Sequence, residues 1–258
     1  MSGDQQGGPS RPSALQWIIP LAIIIAGALI ILSLQSARKV ASPPPSPPPP
    51  PAASPPPLAS PPPETDSTAD IVYSGLTKGL PTATLIIEEY SDFQCPACQY
   101  FWRNIEPDLD KEFVATGKVR FVFRPYSFIG PESIRAAEAA TCAADQNKFW
   151  PYHDALFTSQ RGENEGTFSD GKLKRIAADL SLDAFAFNKC LESKKHRSEV
   201  LQQKKDGDGL GINTTPTLVI YTMKDGQLKQ LRQLVGSPRE FSDFRAIVNE
   251  SLAAAAGP

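Results

Sequence analysis

The stretch "SDFQCPACQYFW" at residues 91–102 decides the fold, because it places Cys95 and Cys98 where a strand runs into a helix. The preceding "TATLIIEEY" (82–90) is apolar and β-rich, which predicts a buried strand. Pro96 suits the first helical position, so Cys95 is predicted to be the N-cap. The free N–H groups and the helix dipole at that end favour an anion, which lowers a thiol pKa and makes the sulfur nucleophilic.

Cys98 is then one helical turn further on, where it can attack a mixed disulfide formed at Cys95. A structural zinc site is the first alternative, but it needs four ligands, and the two histidines, His153 and His196, are not paired at ligand spacing. A purely structural disulfide is the second, but a loop this short would stabilise little. The stretch therefore favours thiol–disulfide exchange, with no metal and no cofactor.

The rest of the folded part alternates strands and helices. A second strand is predicted at "VRFVFRPY" (119–126), followed by a long helical region over about 131–208. Strands return at "PTLVIYT" (216–222) and "QLKQLRQLVG" (227–236), and a closing helix is predicted from Pro238. The order β-α-β, helices, β-β-α predicts an α/β fold with a mixed sheet.

An apolar run near the amino terminus predicts a membrane anchor. Trp17 to Leu34 carries no charge over 18 residues, the lower limit for a transmembrane helix. A cleavable signal peptide is the alternative, but Gln35 and Lys39 stand where a cleavage site would need small residues. We therefore predict a tail at 1–16 and an uncleaved single-pass helix at 17–36.

A proline-rich segment separates this anchor from the folded domain. Of the 26 prolines, 14 lie between Pro43 and Pro63, a composition that is typical of polyproline II. We predict a semi-rigid stalk over 37–69, about 65 Å long in its proline-rich part at about 3.1 Å per residue. A ligand for proline-binding domains is the alternative. The folded domain is predicted at 70–258.

The charge balance argues against nucleic acid as a partner. The net charge is −2 and the isoelectric point is near 5.8, so no basic field would attract a phosphate backbone.

A second motif carries a family resemblance. "GINTTPTLVI" (211–220) places a Thr-Pro pair at the start of a strand, where proline removes no ladder hydrogen bond. Strand–CPAC–helix and TTP–strand together resemble the thioredoxin superfamily, and the helical insertion at about 131–208 resembles its DsbA-like branch. The resemblance covers residues 72–253. It implies a thioredoxin fold with a helical insertion domain, and thiol:disulfide oxidoreductase activity.

The resemblance also implies roles for individual residues. Cys95 would be the attacking cysteine and Cys98 the resolving one. Thr215 and a cis Pro216 would lie against the disulfide and pair with an extended substrate backbone. The histidine that helps to stabilise the thiolate in the best-known oxidant of the family is replaced here by Ala97, which bears on how oxidising the pair is.

Glu89 stands six residues before the first cysteine, where the family often has a buried acid. In the family pattern this acid exchanges a proton with the second cysteine, Cys98. The alternative is an ordinary surface acid at a strand end, because Glu88 is its neighbour.

Cys142 and Cys190, 48 residues apart, are predicted to form a structural disulfide, because the cysteine count is even and the domain is expected to be exported. Two buried free thiols are the alternative.

These features predict an oxidoreductase of the cell membrane, with its catalytic domain on the extracytoplasmic side. The Lys/Arg balance around Trp17–Leu34 leans slightly toward the opposite orientation, but disulfide chemistry suits an oxidising compartment. Expected partners are exported proteins that contain cysteines and a membrane redox partner, a quinone-linked oxidase. Alternatives are a reductase or isomerase on the same fold, and a non-catalytic peptide-binding holdase or assembly factor.

Overall fold

The computed structural model describes residues 71–224 and 226–257. The predicted tail, anchor and stalk lie outside these residues. Among the helices that are described, none combines the length and the apolar character needed to cross a membrane.

The domain is built on one six-stranded mixed sheet with the order β1-β2-β4-β3-β5-β6. β3 and β4 are parallel, and the other neighbouring strands are antiparallel. The strands are β1 Tyr73–Ser74, β2 Thr77–Lys78, β3 Leu85–Ser91, β4 Val119–Pro125, β5 Thr217–Lys224 and β6 Gln227–Val235.

The central strand β3 is buried on both faces, as its nearly continuous apolar sequence predicts. Leu85 and Ile87 face the main core, which also contains both CPAC cysteines. Tyr90 faces a smaller cluster on the other side, with Tyr126. Since side chains alternate along a strand, Glu89 faces the main core and Glu88 faces the opposite side.

Helices cover the sheet and form the insertion. They are α1 Pro96–Asn104, α2 Glu106–Leu109, α3 Pro131–Ala144, α4 Phe149–Ser159, α5 Asp170–Asp179, α6 Ala184–Glu192, α7 Arg197–Gly209 and α8 Phe241–Ala256. The insertion comprises α3 to α7, close to the predicted bounds. Helix α1 ends just before Pro107, and the chain continues through α2 into a π-helical turn at Asp110–Val114.

Two details differ from the sequence prediction. The short strands β1 and β2 were not predicted, because two residues show no periodicity; β2 pairs with β4 at one side of the sheet. The closing helix begins at Phe241 rather than Pro238, and Glu240, its N-cap, is still extended at φ −128° and ψ 146°.

A disulfide joins Cys142 in α3 to Cys190 in α6, with Cα atoms 5.9 Å apart. It links two helices of the insertion across 48 residues of chain. Closing a loop of that length restricts the unfolded chain and contributes about 4 kcal/mol in the chain-entropy description.

We expect the double variant Cys142→Ala/Cys190→Ala to lose about 4 kcal/mol of unfolding free energy, measured by guanidinium chloride titration. Chemical reduction of a Cys95→Ser/Cys98→Ser variant should cause a similar loss, because only the insertion disulfide remains in it. A loss below about 1 kcal/mol in both experiments would show that the bridge does not restrain the unfolded chain.

Candidate active site

Cys95 lies at the point where the β3–α1 loop enters the helix. It is the N-cap of α1, with an extended backbone (φ −73°, ψ 122°), and Pro96 follows at the first helical position. The Cys95 N–H donates to the carbonyl of Asp92 at 2.9 Å. The residue is 7% exposed, whereas Cys98 is fully buried, so Cys95 is the more exposed of the two cysteines.

The pKa of Cys95 is lowered to about 6. A hydrogen bond from the Cys98 thiol is the largest cause, and it outweighs the opposing effect of burial. The Thr215 side chain and the N–H groups of Ala97 and Cys98 lower the pKa further. The Cys98 thiol, helped by the N–H groups of the first helical turn, thus stabilises a thiolate at Cys95 without a histidine at position 97.

Cys98 has the opposite character. Its side chain is fully buried, and burial raises its pKa well above the ordinary value. The hydrogen bond to Cys95 and the negative charges of Cys95 and Glu89 act in the same direction, against a small lowering by Ser91. Both cysteines are free thiols in this structure. Of the two sulfurs, Cys95 is therefore the more exposed and the more readily ionised, and the Cys98 thiol is a buried hydrogen-bond donor to it.

The loop before β5 completes the site. The Thr215–Pro216 peptide bond is cis, and Thr217 begins the strand. In its thiol form, Cys95 donates to the Thr215 carbonyl at 3.4 Å. The Thr215 hydroxyl is buried and has no hydrogen-bond partner among the described residues, so it can turn toward a thiolate at Cys95.

The two adjacent acids of β3 have different environments. Glu88 accepts hydrogen bonds from Arg124 Nε at 3.0 Å and from the Tyr90 hydroxyl at 3.1 Å. Glu89 is also buried, but neither of its carboxylate oxygens has a partner among the described residues. Burial, and next the charge of Glu106, raise the pKa of Glu89 well above its usual range. Burial and the missing hydrogen-bond partners therefore favour the protonated form of Glu89, which faces the core that holds Cys98.

A buried lysine lies in the same core. Lys78, on β2, is 2% exposed and donates to Glu106 Oε1 and Asp110 Oδ2, both at 2.6 Å. Its ammonium also lies 4.5 Å from the centre of the Trp150 ring. These two carboxylates raise the pKa of Lys78 even though burial opposes them. Lys78 also lowers the pKa of Glu89, so the cation acts on the site electrostatically.

The acids around Lys78 share one cation. Burial raises the pKa of Asp110 to about 6, and Glu106 adds to this, although Lys78 acts against it. Glu106, His153 and Asp154 also have possible ligand atoms within 4.8 Å of one another. These atoms already have partners: Lys78 pairs with Glu106, and His153 Nδ1 lies 2.9 Å from Oδ1 of the exposed Asp154.

The insertion holds the CPAC loop in place. Gln160, at the end of α4, donates to the carbonyls of Phe93 at 2.7 Å and Cys95 at 3.1 Å. Asp92 accepts from the N–H groups of Gln94 at 2.9 Å and Phe128 at 3.0 Å. Sequence reasoning missed Lys78, Gln160 and Asp92, because each acts through a partner that is distant in the chain or through backbone groups that no motif reveals.

Because the pKa of Cys95 is lowered to about 6, its thiolate should form across a pH range well below that of an ordinary cysteine. We expect the thiolate absorbance of reduced protein near 240 nm to rise with a midpoint close to pH 6 and to disappear in Cys95→Ser. In a Cys142→Ala/Cys190→Ala variant the same midpoint should remain. A midpoint above pH 8 would contradict thiolate stabilisation at this helix end.

Known proteins are similar to this chain in fold and in sequence. A profile of the family described as Thioredoxin matches residues 73–235. The crystal structure of alpha-DsbA1 from Wolbachia pipientis is 27% identical, with a TM-score of 0.62, and the match covers 70% of this chain and 92% of that one. The probable disulfide bond formation protein D of Bacillus anthracis is 29% identical over 146 residues, 55% of this chain and 67% of that one.

A third similarity is to a larger protein. A Na⁺/H⁺ antiporter, NhaA 3 of Salinispora tropica, is 31% identical over 145 residues, which cover 55% of this chain and only 21% of the antiporter.

The fold, the CPAC helix and the Thr-Pro loop, together with these relatives, define a protein thiol:disulfide oxidoreductase. The chain belongs to the thioredoxin family and is a DsbA-like member of the thioredoxin superfamily, as its motifs predicted.

Proposed function

We propose that this protein introduces disulfides into exported proteins that contain cysteines, through the Cys95–Cys98 pair. The observation that carries the proposal is the contrast between the two sulfurs. The Cys95 pKa is lowered to about 6, whereas the pKa of the fully buried Cys98 is raised. A disulfide between such residues transfers readily, because reduction releases a stabilised thiolate.

The reaction begins with the oxidised pair. A substrate thiolate attacks Cys95 Sγ, the more exposed sulfur; the Cys95–Cys98 bond breaks, and Cys98 leaves as a thiolate. Because burial raises the pKa of Glu89 and favours its protonated form, this carboxyl group can supply the proton that Cys98 requires. A second substrate thiolate then attacks the substrate sulfur of the mixed disulfide, and Cys95 leaves as the stabilised thiolate. Overall, two electrons pass from the substrate to the protein. The two substrate thiols release their protons to solvent when they form thiolates, Cys95 stays a thiolate, and Glu89 regains from solvent the proton that it gives to Cys98.

Thr215 and Pro216 would position the substrate. Because the Thr215 carbonyl is 3.4 Å from Cys95 Sγ, an extended peptide that pairs with this loop would bring its cysteine to the attacking position. A membrane partner, a quinone-linked oxidase, would then reoxidise the dithiol, which returns the protein to its disulfide form.

The direct experiment mixes the oxidised full-length chain with a reduced peptide that carries two cysteines. We expect one disulfide in the peptide per protein molecule, and alkylation followed by mass spectrometry should find two new thiols, at Cys95 and Cys98. Absence of transfer under conditions where the protein binds the peptide would instead favour a binding module.

We also propose that residues 17–36 anchor the chain in the cell membrane, and that residues 37–69 hold domain 70–258 on the extracytoplasmic side. The uncharged run Trp17–Leu34 supports the anchor. The insertion disulfide suits an oxidising compartment. A similar segment in a chain named as an ion antiporter fits a membrane setting. The test fuses to the C-terminus a reporter enzyme that is active only outside the cytoplasm. We expect the fusion to be active, and an inactive reporter, which would put the C-terminus in the cytoplasm, would exclude this placement.

A further inference from the structure

Three potential metal ligands lie together at the insertion disulfide: its own two cysteines and His196. Ligand atoms of Cys142, Cys190 and His196 all lie within 4.8 Å of one another. Asp145 Oδ2 is 3.6 Å from Cys190 Sγ and 2.9 Å from His196 Nε2. Two sulfurs and one imidazole nitrogen therefore lie together, and the Asp145 carboxylate lies beside two of these three groups, far in sequence from CPAC.

The geometry points to a redox-controlled zinc site at Cys142, Cys190, His196 and Asp145, which forms when the disulfide is open. A dithiol reductant breaks the S–S bond, delivers two electrons and two protons, and is itself converted to a disulfide. The same two thiols are present in a newly made chain before the bridge forms. Zn²⁺ then binds both sulfurs as thiolates and releases their two protons.

The distances fit a tetrahedral zinc ion after a small movement of the sulfurs. Zn–S bonds of about 2.3 Å imply two thiolates about 3.8 Å apart. The Cα atoms of Cys142 and Cys190, 5.9 Å apart, leave room for rotamer changes to separate the sulfurs by that amount. Asp145 Oδ2 and His196 Nε2 are 2.9 Å apart and would have to separate to about 3.3 Å, the tetrahedral edge for Zn–N and Zn–O bonds of about 2.0–2.1 Å.

The histidine is already oriented for a metal through Nε2. Its other ring nitrogen, Nδ1, is 2.9 Å from Glu199 Oε2. A carboxylate on the second nitrogen is the arrangement that typically fixes the tautomer and ring orientation of a zinc-bound histidine. This contact is an observation independent of the cysteine pair, and it supports a ligand role for His196.

The site can be reached from solvent and links several helices. A cavity of about 350 Å³ opens beside the bridge and is lined by Cys142, Asp145, Lys189 and Cys190, among others. His196 directly precedes α7. Zinc would therefore join α3, α6 and the start of α7, replacing one cross-link of the insertion by another. Lys195, 2.8 Å from Asp145, competes with a metal for that carboxylate.

The test uses the full-length Cys95→Ser/Cys98→Ser variant, in which Cys142 and Cys190 are the only cysteines. The reduced and oxidised forms are titrated with Zn²⁺ against a chromophoric chelator, and with Co²⁺ alone. We expect one Zn²⁺ per reduced chain, bound at least 100-fold more tightly than by the oxidised form. Co²⁺ should give thiolate charge-transfer bands and the d–d bands of a tetrahedral site. Zn²⁺ should raise the melting temperature of the reduced form only.

Further substitutions assign the ligands. His196→Ala should weaken Zn²⁺ binding at least 10-fold, and Glu199→Gln should weaken it less, because that residue only orients the histidine. The matched control Lys195→Ala should bind as tightly as the parent or more tightly, since Asp145 loses a competing cation. Equal binding by reduced and oxidised protein, or full affinity in His196→Ala, would overturn the proposal.

Discussion

Replacing Cys95 with serine should reduce disulfide transfer to a reduced two-cysteine peptide by at least about 10³-fold. Covalent exchange requires a sulfur that substrate can reach, and a serine hydroxyl cannot form the mixed disulfide. Cys98 cannot substitute, because it is fully buried and its pKa is raised. The measurement is the initial rate of disulfide formation in the peptide. It starts from the parent protein and from the variant after the same oxidising treatment.

The matched control for Cys95→Ser is Cys142→Ala/Cys190→Ala, which also removes cysteines but leaves CPAC intact. Assayed at a temperature where it is folded, it should keep a rate within a few-fold of the parent. If Cys95→Ser retained more than a tenth of the parent rate, the exchange chemistry would have to lie elsewhere. A binding or holdase role for this fold would then regain support.

Replacing Lys78 with methionine should cost about 3 to 5 kcal/mol of unfolding free energy at pH 8, measured by denaturant titration. The side chain is 2% exposed and its ammonium is 2.6 Å from both Glu106 and Asp110. Methionine fills much of the same space, so most of the cost comes from leaving two carboxylates without their shared cation. Removing one partner of a buried ion pair is far costlier than removing an exposed pair.

The pH dependence of this loss has a definite sign. Burial raises the pKa of Asp110 from 3.8 to about 6, so its contribution to stability is present below pH 3.8 and is lost as the pH rises through about 6. Without Lys78 this pKa should rise further, because Lys78 is the cation that lowers it. The stability gap between parent and variant should therefore be smaller at pH 5 than at pH 8.

Lys174→Met is the matched control for the Lys78 variant. Lys174 also forms a 2.6 Å ion pair, with Glu192, but both side chains are substantially exposed. Its loss should cost less than about 1 kcal/mol. Equal, small losses in both variants would show that the buried cluster around Lys78 contributes no more than a surface pair.

The sequence predicted the part of the site that local chemistry specifies. A β-rich apolar run followed by Cys-Pro identifies the strand, the N-cap and the helix, since each depends on neighbouring residues. The strand that opens just after Pro216 follows from what proline excludes. In both cases the interactions that decide the structure join residues only a few positions apart, so they can be predicted from the sequence.

The remainder depends on contacts between distant segments. Lys78 and Glu106 are 28 residues apart, and Lys78 lies on a strand of two residues that no pattern marks. Which of the two acids, Glu88 or Glu89, lies in the core with Cys98 depends on which face of β3 meets the active-site helix. It also depends on Arg124, on the next strand of the sheet, which binds Glu88. Such facts follow from sheet order and register, which a single sequence does not display.

The most direct test of the central claim is the equilibrium redox potential of the Cys95–Cys98 pair, titrated with glutathione in the full-length chain. A Cys95 thiolate stabilised by the Cys98 thiol and by the helix N-terminus favours the reduced form, so the pair should be a disulfide donor. We expect a value nearer to that of DsbA, about −120 mV, than to that of thioredoxin, about −270 mV. A value near −270 mV would contradict the account, because it would make the protein a reductase that requires a partner to supply electrons.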